Sequence, residues 1–413
     1  MSTTTTSIDD DLAAFFVARQ PILDRSSRTV GYELLFRGNL FAANAEFVDG
    51  DTATAQVLLN ALTEFGLDAL VGRARGYVNL TEHFIAHPEL LASLPRDKVV
   101  LEVLETVQPT PEVCAGLAAL VADGFTVALD DVQYRPQLDP LLDLAHIVKY
   151  DVSQVGVAEL RERVIADHAK GRTVAVERIE TSEDHDAAFA AGADLFQGFF
   201  FARPTTFATR GVTPNRLAML RLLARINDPD AALDDIVELV SQDVGMSVKT
   251  LRFVNAGSHY LVNRIESIHH AAVLLGLDKL RSWTNLALMT SLAEAPFEVV
   301  RLALVRAKFC EIVARQRHAP NPAAYYTAGM LSLLDVLTGV PIADLVDELG
   351  LHDDVRSALL DVDGPVTAVV REAARAERTG LCCEAAEPLV ACAQYDAIAW
   401  TNRLLESVVA EMS

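Results

Sequence analysis

A series of short apolar runs in the first half of the chain ends on residues able to hold cations or meet phosphates. Reading along the chain, these ends carry Glu33, Asn79, Glu102, Asp130 with Asp131, Lys149 with Asp151, Glu177 and Gln197. Carboxylates gathered at one mouth repel and raise each other's pKa unless a cation neutralises them. Oxygen-only ligands, with the Asn79 amide as the neutral member, suit hard divalent ions such as Mg²⁺ or Mn²⁺. Two such ions a few ångströms apart polarise a phosphoryl group and generate a hydroxide nucleophile. Lys149 among them would orient the attacking water or stabilise developing charge. Any single Glu here is more often solvated surface. The pair Asp130-Asp131 is more specific, because two acids closing the apolar Val127-Ala128-Leu129 are costly without a partner. The array is more informative than any member.

Spacing sorts the roles. Glu102 and Glu105 lie three apart, as do Glu177 and Glu180, and residues three apart on a strand point to opposite faces. One of each pair therefore faces the axis and the other supports a loop. Lys149 and Asp151 lie two apart and share a face.

The elements that must position these residues are strands Phe16–Ile22, Gly31–Phe36, Gly76–Leu80, Val99–Leu104, Thr126–Asp130, Ile147–Tyr150, Thr173–Val176 and Leu195–Phe201. Helix-period stretches such as Ala53–Leu70, Pro111–Ala122 and Ala158–His168 lie between most of them. Strands alternating with helices predict a (β/α)8 barrel, whose function sits where strands end. An open doubly wound sheet is the alternative; no Gly-rich phosphate loop follows the first strand.

The pattern changes near residue 205. Arg203–Gly211 reads as a linker, and almost everything after it has helical period. Leu233, Ile236, Val237, Val240 and Val244 make one apolar face, Asn255-Ala256-Gly257 reads as a stop, Ser267 as a cap and Gly276 as an end. His352-Asp353 is an HD dipeptide, but His259, His269, His270 and His318 form no recognisable ligand set with it. Asp353 reads instead as a helix cap. Adjacent His269 and His270 diverge around a helix.

The chain of 413 residues carries a formal net charge of −22, which argues against a general affinity for nucleic-acid phosphates or anionic lipid. Half of its residues are hydrophobic, enough for two or three packed domains. Five cysteines without framework spacing fit a reducing compartment, and Cys382, Cys383 and Cys392 read as small helix residues. Met1–Asp11 reads as a frayed tail without the pattern of a signal peptide, and no apolar run is long enough to span a membrane. The expected location is cytoplasmic.

Gln20-Pro21-Ile22, Glu33-Leu34-Leu35-Phe36-Arg37 and Val78-Asn79-Leu80 resemble the opening of an EAL domain. Glu102-Val103-Leu104-Glu105, Asp130-Asp131, Lys149-Tyr150-Asp151, Glu177-Arg178-Ile179-Glu180 and Gln197-Gly198 continue the match in order. EAL domains are modified TIM barrels that hydrolyse cyclic di-GMP to linear pGpG with two Mg²⁺ or Mn²⁺ ions. The resemblance implies Glu33, Asn79, Glu102, Asp130, Asp131 and Glu177 as metal ligands and Lys149 as the residue that positions the water. It implies Arg37 on a phosphate, with Gln20 and Gln197 along the nucleotide. Asp151 is placed with the ligand-binding residues. Glu105 would anchor the loop after Asp131, and Glu180 would support the site from behind.

The chain departs from the family twice. The signature tripeptide reads Glu33-Leu34-Leu35 in place of Glu-Ala-Leu, and Val132-Gln133-Tyr134-Arg135-Pro136-Gln137-Leu138 replaces a Gly-containing loop. The second half is similar to an HDOD domain, a helical output domain related to HD phosphohydrolases without their metal ligands. The expected organisation is a disordered tail over 1–11, an EAL-like barrel over 12–205, an HDOD-like domain over 206–400 and a C-terminal helix or tail over 401–413. Together the resemblances imply a bacterial signalling protein whose barrel binds cyclic di-GMP and hydrolyses it weakly, and whose helical domain contacts a protein partner. An active phosphodiesterase and a ligand-independent scaffold are the alternatives. A homodimer is implied through the region after the Asp pair, and neither nucleic acid nor membrane is expected as a partner.

Overall fold

The computed structural model describes residues 16–37, 66–202, 214–228, 230–242, 246–247, 250–251, 254, 265, 267–292, 295–379 and 388–412. Several expectations lie outside these residues: the tail 1–11, most of the helix Ala53–Leu70, the linker 203–211, the stop at 255–257, and His259. The side chains of Arg37, Cys382, Cys383 and Cys392 lie outside them as well.

All eight expected strands are present: β1 (Phe16–Asp24), β2 (Thr29–Arg37), β3 (Arg75–Leu80), β4 (Val99–Val103), β5 (Thr126–Leu129), β6 (Ile147–Asp151), β7 (Thr173–Glu177) and β8 (Leu195–Gln197). They close into a barrel in sequence order. β1 is antiparallel to both β2 and β8, and the other neighbours are parallel. The cause is local. Only the turn at 25–28 joins β1 to β2, too short for the crossover that parallel strands need. The last strand is shorter than Leu195–Phe201, because Phe200–Ala202 coils into a 3₁₀ turn.

The barrel helices used below are α1 (Leu67–Val71), α2 (Pro111–Ala122), α3 (Val157–Ala169) and α4 (Ser182–Ala191). Pro111 opens α2 behind the Thr110 cap, whose hydroxyl accepts from Val113 N–H. Thr181 and Asp184 form a capping box on α4, and Gly192 ends it in the left-handed region. Outward-facing Val78, Leu101, Val127, Val148, Val174 and Phe196 pack beneath helix residues such as Leu117, Leu160 and Ala188. Inward-facing Ile22, Tyr77, Val100, Ala128, Ile147 and Ala175 fill the barrel floor.

The helical part comprises α5 (Pro214–Ile226), α6 (Leu233–Gln242), α7 (Ile268–Leu275), α8 (Leu277–Leu292), α9 (Phe297–Gln316), α10 (Pro322–Leu331), α11 (Asp353–Leu359), α12 (Pro365–Thr379) and α13 (Pro388–Met412), with shorter turns between them. Ser267 caps α7 by accepting from His270 N–H at 3.1 Å. The expected cap at Asp353 falls one residue earlier: His352 Nδ1 accepts from Asp354 N–H at 3.3 Å, and Asp353 is the first helical residue. α9 runs through the middle, and Gly329 of α10 lies against its backbone, where an added Cβ would stand 2.8 Å from Arg306 O. The helical core takes in Leu23 and Phe201 from the barrel. No helix of the described residues is long and apolar enough to cross a membrane.

Candidate metal centre

The barrel follows one rule at its mouth. The apolar inward residue of each parallel strand is followed two positions later by a polar one, because side chains alternate faces. Tyr77 leads to Asn79, Val100 to Glu102, Ala128 to Asp130, Ile147 to Lys149, Ala175 to Glu177 and Leu195 to Gln197. On β1 the order reverses, with Gln20 before Ile22, since that strand runs the other way. Its register sets Gln20 opposite Glu33 and Ile22 opposite Gln197. Gly198 turns the chain after β8 so closely that an added Cβ would fall 2.0 Å from Ile179 O, and this holds Gln197 at the mouth.

Lys149 stands at the centre with no exposed surface. Its ammonium is in ion-pair contact with Glu102 and Glu177, 3.2 Å from Asp130 Oδ1 and 3.8 Å from Glu33 Oε2. Glu33, Glu102 and Glu177 each offer an oxygen within 4.8 Å of the others. Gln197 Nε2 donates to Glu33 Oε2 at 2.5 Å and to Gln20 Oε1 at 3.0 Å. Asn79 Nδ2 lies 3.4 Å from Glu33 Oε1. One ammonium faces four carboxylates, so the mouth is short of positive charge. Like charges about 4 Å apart at an effective dielectric of about 20 repel by roughly 4 kcal/mol.

The titration behaviour records this deficit. Burial, then the neighbouring carboxylates, push Glu177 up to about 8 against the pull of Lys149. Burial raises Glu102 well above the ordinary carboxyl range. Burial works against the Lys149 charge, but its four carboxylates outweigh that and hold the ammonium well above its usual value. Lys149 is therefore a fixed cation and not a base while those carboxylates stay unneutralised. Three buried oxygens, Asn79 Oδ1, Glu102 Oε2 and Gln197 Oε1, have no hydrogen-bond partner. Buried acceptors without donors are rare and costly. Orphaned oxygens beside surplus negative charge fit a divalent cation.

The remaining expected residues are placed differently. Asp131 sits at φ 42° and turns to the rim, where both its oxygens accept from Gln154 Nε2 at 3.2 and 3.3 Å and Arg178 lies 3.9 Å away. Asp151 shares the inward face with Lys149 and is buried. It accepts from Ser153 N–H and hydroxyl at 2.8 and 2.7 Å and from Gln154 at 2.7 Å, and pairs with Arg178 at 2.8 Å. Those bonds hold its carboxyl below its ordinary value although burial opposes them. Glu105 is exposed in the turn after β4, and Glu180 is exposed beyond Ile179. Glu105 makes no hydrogen bond or ion pair with residues 132–138 among the described residues. The loop after Asp131 is tied down by other means: Val132 N–H donates to Lys149 O at 2.9 Å, Gln133 bonds to Gln154, and Val132 is buried. Sequence reasoning missed Gln154 and Arg178. Arg178 follows Glu177 at φ 54°, the left-handed region, a feature no spacing announces.

In the helical part, His269, His270, His318 and His352 are exposed, and the Glu33, Glu102 and Glu177 group is the one metal-competent cluster among the described residues.

An eight-stranded barrel with a reversed first strand and a carboxylate-and-lysine mouth, joined to a helical bundle, defines the EAL–HDOD class of architecture. Residues 215–339 match the HDOD domain family. Over 362 residues the chain is 35% identical to the cyclic di-GMP phosphodiesterase CdgJ of Vibrio cholerae, covering 87% of this chain and 84% of that protein. It is 32% identical over 357 residues to the uncharacterized protein YuxH of Bacillus subtilis, covering 84% of this chain and 86% of that protein. Among solved structures it is similar to the calcium and cyclic di-GMP complex of BlrP1 from Klebsiella pneumoniae. That match has 26% identity and a TM-score of 0.39, and covers 46% of this chain and 55% of that chain. The EAL domain protein of Listeria monocytogenes matches with 23% identity and a TM-score of 0.36 over 46% of this chain and 88% of that chain. The chain belongs to the tandem EAL–HDOD family of signalling proteins.

Proposed function

We propose that this protein acts in cyclic di-GMP signalling, with a barrel that binds cyclic di-GMP through divalent cations and a helical part that meets a protein partner. The observation that carries the reading is the mouth itself: three buried carboxylates and the half-buried Asp130, one lysine and orphaned oxygens on neighbouring strand ends. The relative CdgJ, named as a cyclic di-GMP phosphodiesterase, supports the ligand. Glu33, Asn79, Glu102, Asp130 and Glu177 would hold the ions, either Mg²⁺ or Mn²⁺. Asp131 would join them by leaving Gln154 and Arg178. When bound, the ions would neutralise the phosphodiester and lower the pKa of water to supply a hydroxide.

The chain's own residues would do the rest. Gln20 and Gln197, linked to each other and to Glu33, would line the nucleotide on the β1 side. Lys149, buried at the centre of the mouth, would face charge that develops during attack and would keep a water oriented. The barrel floor of Ile22, Tyr77 and Val100 excludes solvent from below.

Hydrolysis to pGpG is the second reading. The fully buried Lys149 among its carboxylates favours it, since that placement has no evident value for binding alone. The start of the loop after Asp131 favours slow turnover, because Val132 is tied to β6 and Gln133 to Gln154. Incubation with cyclic di-GMP and Mn²⁺, followed by chromatography for pGpG, separates the readings, with Glu33→Ala as control. Calorimetric binding without product supports the receptor. Metal-dependent product that disappears in Glu33→Ala supports the enzyme. A folded chain that neither binds nor cleaves leaves the scaffold reading.

A further inference from the structure

The helical part grips the barrel at the strand that carries Glu33. Glu298, in the first turn of α9, is buried against the outer face of β2. Its carboxylate accepts from the Tyr32 hydroxyl at 2.9 and 3.0 Å and from the Thr29 hydroxyl at 2.8 Å. Arg301, one turn along, pairs with it at 3.3 Å and reaches over the Tyr32 ring. The Arg19 guanidinium of β1 lies 4.2 Å from the centre of the same ring and donates to Leu70 O. Arg301 also bonds to Asn402 of α13, and Asn402 donates to Ala69 O of α1 at 2.9 Å. The clasp therefore joins β1, β2 and α1 of the barrel to α9 and α13.

Tyr32 and Glu33 are adjacent on one strand, so Tyr32 faces the helices and Glu33 faces the mouth. A directional bond on the Tyr32 side fixes where the Glu33 carboxylate stands relative to Glu102 and Glu177. Apolar contact would hold the strand without setting its register along the helix. A carboxylate held by two hydroxyls and a guanidinium does set it, and removing one partner of such a buried group is expensive.

We propose that Glu298 is a positioning residue for the metal centre, through which the helical part sets the placement of Glu33. The proposal rests on Glu33 serving as a metal ligand, the reading given above. It makes the two halves one working unit: whatever moves α9 moves a ligand of the barrel.

The test uses the full chain with Mn²⁺ as probe. Mn²⁺ affinity is measured by calorimetry for the wild type, Glu298→Gln, Tyr32→Phe and the double variant. Glu348→Gln, in an exposed pair with Arg221 that shares no residue with the clasp, serves as control. Hydrogen exchange is followed over residues 29–37. A lost outer partner bonded to a metal ligand typically costs 10–100-fold in affinity, and Glu298 acts on Glu33 through the strand, so Glu298→Gln is expected to weaken Mn²⁺ by up to about tenfold. Exchange over 29–37 rises with it, the double variant adds little, and the control changes nothing. If Glu298→Gln does not fold, Tyr32→Phe, which deletes one hydroxyl, carries the test. Faster exchange with unchanged Mn²⁺ affinity reduces the clasp to architecture and overturns the proposal. Unchanged exchange overturns it too. A wild type that binds no Mn²⁺ sinks the metal reading itself, which is a different result from a wild type and variant that bind equally.

Discussion

Both halves of the molecule bury charge, and the barrel mouth does so in the opposite way to the helical part. In the helical part, Arg306 meets Glu377 through two bonds at 2.9 and 2.5 Å and also donates to Ser332 at 2.8 Å. Nearby, Asn227 and Asn285 bond reciprocally at 2.6 and 2.8 Å, and Thr327 donates to Asn227 O at 2.6 Å. The Arg306 charge there has its counterpart. At the barrel mouth one ammonium serves four carboxylates, and oxygens are left without donors. Balanced burial builds a framework, whereas unbalanced burial stores a demand that a ligand can meet. The structural cost of the second arrangement is carried by the closed barrel around it.

The comparison is broken or sharpened first by removing one buried cation from each half. Lys149→Met leaves four carboxylates facing one another, and stripping one partner from a buried ionic group costs about 3–5 kcal/mol. The metal-free variant should melt well below the wild type, more so at alkaline pH, where protons no longer substitute for the ammonium. Saturating Mn²⁺ should return part of the loss. Arg306→Met removes a buried cation from the helical part, with a similar cost of about 3–5 kcal/mol. Here Mn²⁺ should restore nothing, while Glu377→Leu added in the same chain should. Thermal melts of both variants with and without Mn²⁺ decide the matter, and equal rescue of both would erase the contrast.

A smaller effect follows from the raised carboxyls. Glu177 holds its proton up to about 8 where an unfolded chain releases it near 4.5. Metal-free, the folded state binds the extra proton, so this group's stabilisation is full below its unfolded pKa and is lost as pH climbs through about 8. Cations displace that proton and so bind better in alkali. The Mn²⁺-induced rise in melting temperature should therefore be larger at about pH 8.5 than at about pH 6.5, by a few degrees. An equal rise at both would mean Glu177 is already ionised at the lower pH.

Much of this was legible in the chain. The eight strands were visible because each is a short apolar run closed by a polar residue, and the helix 111–122 because Thr110 and Pro111 mark its start. Glu33, Glu102, Asp130, Lys149 and Glu177 were visible as strand-end residues, and the barrel brings them together at Lys149. The reversal of β1 is set by its four-residue connection to β2, which the strand pattern alone does not record. Asp131, one residue beyond Asp130, points elsewhere because its left-handed backbone swings it to the rim, and a residue's φ is not written in its neighbours' types. The clasp at Glu298 was invisible for a different reason. Its partners Thr29 and Tyr32 lie 269 and 266 residues away, and no local period records a contact that only tertiary packing creates.

The reversed first strand also bears on how the chain comes to be folded. The β1–β2 hairpin forms early and locally, yet its edges wait: Gln197 on β8 and Glu298 on α9 are both made much later. During synthesis the hairpin has no closed ring to join until about half the chain has emerged, and no clasp until later still. Non-local pairing of this kind is slow and leaves strand edges exposed in the meantime. A ribosome-stalled chain ending before residue 195 should hold an unsealed sheet prone to proteolysis at 16–37, and one extending past α9 should be protected there.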